Sequence, residues 1–199
     1  FMGVEKVEDI ESLGASIRLE GNGLSAGLRF AAQVNKALAG IDGTYVYSQN
    51  ADVKFGMYLL PKEMLGEHLT LTAYLANGVQ DALDVPAKNI LAQDDDIIQY
   101  TAVLIDIPTS AYSQEIIAVP YMVKNGEYTY FKEMTRSYAG VARAARETTY
   151  SDSAIAATTD QALKAEMQAV ADELDKIVLN VNFDMIGCTM GKFMSKCTA

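Results

Sequence analysis

The chain has 199 residues, half of them apolar and about a fifth charged, which is ordinary globular usage and excludes disorder along the whole length. Against 16 Lys and Arg stand 26 Asp and Glu, a formal net charge of −10. A surface of that sign repels phosphate backbones, so no nucleic acid is expected as a partner.

No run approaches the ~18 consecutive apolar residues of a membrane span, and the amino terminus shows no basic region followed by an apolar core. The chain is therefore expected to be soluble, with no membrane span. Cys188 and Cys197 are its two cysteines. They form no disulfide framework and lack the Cys-x-x-Cys spacing of redox catalysis, so one small loop or two free thiols remain open.

Residues 1–12 scatter Glu5, Glu8, Asp9 and Glu11 among Val4, Val7 and Ile10 without a period, and read as a leader. From Gly14, Ala15, Ile17 and Leu19 alternate with Ser16, Arg18 and Glu20, the signature of a strand with one buried face. Gly21-Asn22-Gly23 turns the chain, and Leu28, Phe30, Ala32 and Val34 continue as the second strand of a hairpin.

Val53, Phe55, Met57 and Leu59 form the next alternating run, stopped by Pro61, with a helical turn predicted over residues 62–65. Residues 69–91 read as an irregular connection. Residues 97–107 are apolar on both parities, which predicts a central strand covered on both faces.

A long strand over 113–124 follows. Asn125-Gly126 then leads into Glu127-Tyr128-Thr129-Tyr130, a two-residue type I′ hairpin. Pro120 inside the first of these strands predicts a bulge or an edge.

The period then changes. Tyr138, Val141, Ala142 and Ala145 are spaced for a helix, with Arg143, Arg146 and Glu147 directed to solvent. Residues 148–158 read as a linker. Leu163, Met167, Val170, Ala171, Leu174, Ile177 and Val178 line a second helix that starts near Thr159-Asp160, where side-chain oxygens cap free amides. The tail from Gly187 reads as weakly ordered apart from Met190, Phe193 and Met194.

No catalytic, metal or cofactor constellation emerges. Glu115 and Glu133 are candidate paired carboxylates only because acids are abundant. Asp94-Asp95-Asp96 lacks the alternating ligands and glycine turn of a calcium loop. His68 is the single histidine, which excludes a multi-histidine metal site. Gly-x-Ser-x-Gly, Walker and Gly-x-Gly-x-x-Gly motifs are absent. Arg18 and Arg29 fall on the polar parity of paired strands, where Glu20 or Glu115 is expected to answer them in a surface ion ladder.

Eleven tyrosines are the more distinctive resource. Tyr58, Tyr112, Tyr121, Tyr128, Tyr130 and Tyr138 suit a stacking surface for a sugar or a partner protein, and equally suit plain strand positions. Tyr112, Tyr121, Tyr128 and Tyr130 are the candidate binding residues.

Four short motifs, Gly14-Ala15-Ser16-Ile17-Arg18, Gly27-Leu28-Arg29-Phe30, Tyr100-Thr101-Ala102-Val103-Leu104, and Tyr128-Thr129-Tyr130-Phe131 running on to Thr135-Arg136-Ser137, occur together in strand and turn order. In this residues 13–147 resemble a module that recurs in large secreted and surface-attached proteins of gut clostridia and related Firmicutes. Pro120 departs from the small or charged residue expected there. The resemblance implies export and display on the cell surface beside carbohydrate-active or adhesive modules, and brings no site residues with it.

The expected architecture is mainly β within the α+β class: an antiparallel β-sandwich-like core over residues 13–147, ending in a short helix, with a linker, amphipathic helix and tail over 148–199. The expected function is that of an extracellular accessory module binding a carbohydrate or a surface protein. The alternatives are a structural spacer that docks through the Leu163 stripe and, third, a hydrolase. No enzyme activity and no cofactor are expected.

Overall fold

Alternating apolar residues build two antiparallel sheets whose buried faces meet. The structure is a computed structural model and describes residues 10–78 and 81–180. Its strands in chain order are β1 (Ile10–Arg18), β2 (Gly27–Asn35), β3 (Val53–Pro61), β4 (Leu83–Pro86), β5 (Ile90–Gln93), β6 (Ile97–Ile105), β7 (Ile116–Lys124), β8 (Glu127–Tyr130) and β9 (Met134–Arg136). One sheet has the order β1-β2-β6-β5, the other β4-β3-β7-β8, with β9 also paired to β7.

The helices are α1 (Lys36–Ala39), α2 (Leu71–Ala76), α3 (Tyr138–Glu147), α4 (Asp152–Ala157) and α5 (Gln161–Leu179). The fold is thus α+β with a mainly β core and its three last helices, α3 to α5, toward the carboxyl end.

Phe30 and Val34 of β2, Ile98 and Tyr100 of β6, Phe55 and Met57 of β3, and Ala118 of β7 are fully buried in one cluster between the sheets. Burying a side chain of this size stabilises by roughly 1.5–3 kcal/mol. Tyr100 ties the layers together: its ring stacks on Phe55 at 5.5 Å, and its hydroxyl shares its one proton between the carbonyls of Gly56 and Tyr121, each at 3.2 Å. A phenol can be buried this deeply because its polar atom is satisfied.

Local chemistry accounts for the turns. Asn125 and Gly126 have φ of 52° and 83°, the left-handed pair a type I′ hairpin needs, and they join β7 to β8. In β1 the register skips Leu13 between the pairs Ser12–Ala32 and Gly14–Ala31, a bulge that glycine accommodates with φ of 91°. The strand begins at Ile10, ahead of the expected boundary at residue 13.

Pro120 is a central-strand residue whose missing N–H faces a gap. Its nitrogen and carbonyl share one side of β7, and there Phe131 donates to the Pro120 carbonyl at 2.9 Å. Tyr121 pairs with Tyr130 and Ala118 with Met134, so the β8–β9 side carries one extra residue opposite Pro120. The bulge lies in the partner, and the ladder loses no bond.

Three expectations are corrected. Residues 69–91 are not irregular: Thr70 caps the Ala73 amide at 3.0 Å to start α2, and β4 and β5 follow. The outer positions of β6, Ile97, Thr101, Val103 and Ile105, are only half-buried, so that strand is not covered on both faces; it ends at Ile105, where Asp106 takes a φ of 54°. The stretch 148–158 contains α4, capped by Ser151 on the Ala154 amide at 3.2 Å.

The Ser137 hydroxyl caps α3 at the Gly140 amide, 3.0 Å away, and Asp160 caps α5 at the Ala162 and Leu163 amides, 2.9 and 3.1 Å away. Leu174 and Ile177 of α5 join the inter-sheet cluster. Met167, Val170 and Val178 are half-buried, while Leu163 is 49% exposed.

Arg146 does not point freely to solvent. It donates to Asp175 of α5 at 3.0 Å, to Asp152 of α4 at 2.6 Å and to the Tyr150 carbonyl at 2.8 Å. The pair Cys188 and Cys197, and Met190, Phe193 and Met194, lie outside the described residues. Among the described residues no helix is long and apolar enough to cross a membrane.

Candidate binding face

The outward face of the β4-β3-β7-β8 sheet divides into two halves. In one, α2 lays Leu71 and Tyr74 over Leu60, Ile117 and Val119 to form a second apolar cluster. Glu133 holds the helix there, accepting from the Thr72 amide at 2.8 Å and the Thr72 hydroxyl at 3.2 Å. Among the described residues no helix covers the other half, which carries tyrosines.

The period of two places these tyrosines on one face. Tyr121 pairs with Gly56 on one side and Tyr130 on the other, Tyr58 pairs with Asp84, and Tyr128 follows two positions before Tyr130. Ring centroids are 5.0 Å apart for Tyr58 and Tyr121, 5.3 Å for Tyr121 and Tyr128, and 5.8 Å for Tyr128 and Tyr130, whose planes differ by 21°.

Tyr121 is the buried base of this cluster at 4% exposure, Tyr58 and Tyr130 are half-buried, and Tyr128 is 48% exposed. The Tyr121 hydroxyl donates to the exposed carboxylate of Asp84 at 2.7 Å. Burial, and then the neighbouring Asp84, push the Tyr121 phenol well above its ordinary value; burial and the Tyr128 hydroxyl do the same to Tyr58. Both phenols stay neutral donors through the physiological range.

Of the expected residues, the fold brings together Tyr121, Tyr128 and Tyr130. Tyr112 lies elsewhere: its ring meets Tyr138 edge-on at 4.9 Å and packs against the inter-sheet core. Tyr58, one of the six tyrosines suited to a stacking surface though not one of the four candidate binding residues, completes the cluster with Asp84, which the sequence does not single out. Tyr58 was legible as the polar-parity residue between Met57 and Leu59, whereas nothing local marks Asp84, since β4 had no readable period.

The remaining candidates are occupied in structural roles. Glu115 pairs with Lys62 at 2.9 Å, and Glu133 anchors α2. Asp94 closes a turn, accepting from the Asp96 and Ile97 amides at 2.8 Å each, and these bonds hold its carboxyl below the ordinary value. His68 stands edge-on to Tyr74 at 5.6 Å.

The ion ladder is corrected. Arg18 donates to the Ser25 carbonyl at 2.8 Å and Arg29 to the Ser16 hydroxyl at 3.0 Å, so hydroxyl and carbonyl oxygens take the place of Glu20 and Glu115. Among the described residues no group of three or more His, Cys, Asp or Glu side chains is placed to hold a metal ion. Neither the protein-family models nor the curated proteins contain a match to this sequence.

Proposed function

We propose that the protein is a non-catalytic binding module that takes a neutral glycan on the tyrosine face formed by Tyr58, Tyr121, Tyr128 and Tyr130. The observation that carries this reading is the near-parallel pair Tyr128 and Tyr130 on the face that also holds Tyr121 and its acceptor, the Asp84 carboxylate. A pyranose offers flat C–H faces to aromatic rings and hydroxyls to an acceptor, and this sheet face carries both.

Size favours a sugar over a protein partner. A stable protein interface needs roughly 800 Å² from each side with a desolvated apolar centre, whereas the exposed aromatic surface here is chiefly Tyr128. The spacer reading draws less support, because Met167 through Val178 of the α5 stripe turn inward, leaving Leu163 and Leu179 exposed at opposite ends of the helix. Glu115 and Glu133 are committed to Lys62 and to α2, which counts against a hydrolase. Display outside the cell is part of the proposal and rests on the resemblance of residues 13–147 to exported modules.

The test is retention of the protein on insoluble polysaccharides, mucin and purified cell wall, with Tyr128→Ala and Tyr130→Ala variants alongside. Retention that both variants lose supports the reading. No retention on any material, or retention unchanged in both variants, overturns it.

A further inference from the structure

A groove of about 700 Å³ runs where α3 and α5 meet the edge strand β1 and the end of β9, and it shares no residue with the tyrosine face. Its volume falls within the range of small-molecule sites, roughly 300–1,000 Å³. The helix side contributes an apolar strip of Val141, Ala144, Ala145, Val170 and Leu174, bordered by Thr148 and Thr149, with Ile17 of β1 opposite.

The sheet side is cationic. Arg29 and Arg136 both line the groove, and among the described residues neither forms an ion pair. Arg29 is oriented by its Nε bond to Ser16 at 3.0 Å, and Arg136 by an Nη1 bond to the Thr135 carbonyl at 2.9 Å. The lining carboxylate, Glu115, is engaged by Lys62 at 2.9 Å.

In a chain with ten more acidic than basic groups, two such arginines at one groove are not explained by pairing within the described fold. A guanidinium fork matches a carboxylate in plane and spacing. The first turn of α3, which reaches the groove at Ser137 and Gly140, adds the favourable end of its dipole. A multiply charged anion would meet the repulsion of the whole acidic surface, whereas a single charge meets the least.

We propose that this groove is a second binding site, for a small organic monocarboxylate with an apolar body. Its carboxylate sits between Arg29 and Arg136, and its apolar body lies along Val141, Ala145 and Leu174. The assignment is independent of the tyrosine face.

The experiment is a titration of the whole protein followed by amide chemical shifts in ¹H–¹⁵N NMR, with octanoate, octanamide and glucuronate as probes. Octanoate is expected to move the amides of Ser16, Gly140 and Ala145 in a saturable way, with octanamide and glucuronate each about tenfold weaker. Arg29→Gln and Arg136→Gln are each expected to weaken octanoate by a similar factor. Arg136 is exposed, so its variant tests the charge without disturbing the fold. Absence of localised shifts at millimolar octanoate, equal binding of octanamide or glucuronate, or undiminished binding by Arg136→Gln would overturn the proposal.

Discussion

Tyr121 stands over Gly56: a Cβ built at residue 56 would fall 2.3 Å from the Tyr121 hydroxyl oxygen. The glycine in the middle of β3 thus seats a tyrosine ring in the neighbouring strand, which is the close approach that glycine permits in a strand. Gly56→Ala must displace the phenol and break its bond to Asp84 at 2.7 Å. The expected cost is about 1–3 kcal/mol in urea denaturation, together with loss of glycan retention. Stability and retention both equal to those of the parent protein would show that the ring is not seated there.

Tyr128 and Tyr112 separate binding from packing. Tyr128→Ala removes a half-exposed ring and is expected to cost less than about 1 kcal/mol while reducing glycan affinity about tenfold or more. Tyr112→Ala removes the edge-on contact to Tyr138 and is expected to cost about 2 kcal/mol with retention intact. Paired denaturation and retention measurements distinguish the two, and the reverse pattern would move the site to the core-packed ring.

Arg146 joins α3 to α4 and α5 through Asp152 and Asp175, with its side chain 20% exposed. Removing it as Arg146→Met keeps most of the stem volume and is expected to lower the urea midpoint. In a double-mutant cycle with Asp175→Asn, a favourable coupling that shrinks in high salt is expected. Strict additivity would mean that the bridge contributes nothing.

Leu174 is 1% exposed and belongs to the same cluster as Phe30 and Phe55. Leu174→Ala is expected to destabilise by about 3 kcal/mol. Because α5 shares its core with both sheets, helical circular dichroism and tyrosine fluorescence should lose their native signals in one coincident transition. Two separated transitions would show that the helix is an appendage.

High pH should unfold the protein through its buried phenols. Burial pushes Tyr45 and Tyr138 from 10.0 up to about 12. Their folded values are raised, so the unfolded chain releases these protons first; the stability they contribute is complete below pH 10.0 and is lost as pH rises toward about 12. Urea midpoints should therefore fall steadily above pH 10.0, with tyrosinate absorbance and circular dichroism changing together. Midpoints that stay flat across this window would contradict the burial of these rings.

Properties of contiguous residues were legible from the chain. Alternation at Leu28 to Val34 and Val53 to Leu59 marked strands with one buried face, Asn125-Gly126 marked the left-handed hairpin turn, and Thr159-Asp160 marked the start of α5. Each depends on backbone conformation and side-chain period within one short segment, which adjacent residues dictate.

Tertiary structure decided which of those residues meet. Tyr121 reaches Tyr130, Gly56 and Asp84 because strand order and register set β3, β4, β7 and β8 side by side, while Tyr112, similar by sequence, is carried to the core. Arg146 looked solvent-facing on its own helix and is enclosed once α4 and α5 fold back over it. Long-range pairing depends on how separate segments share one core, and no single segment carries that information.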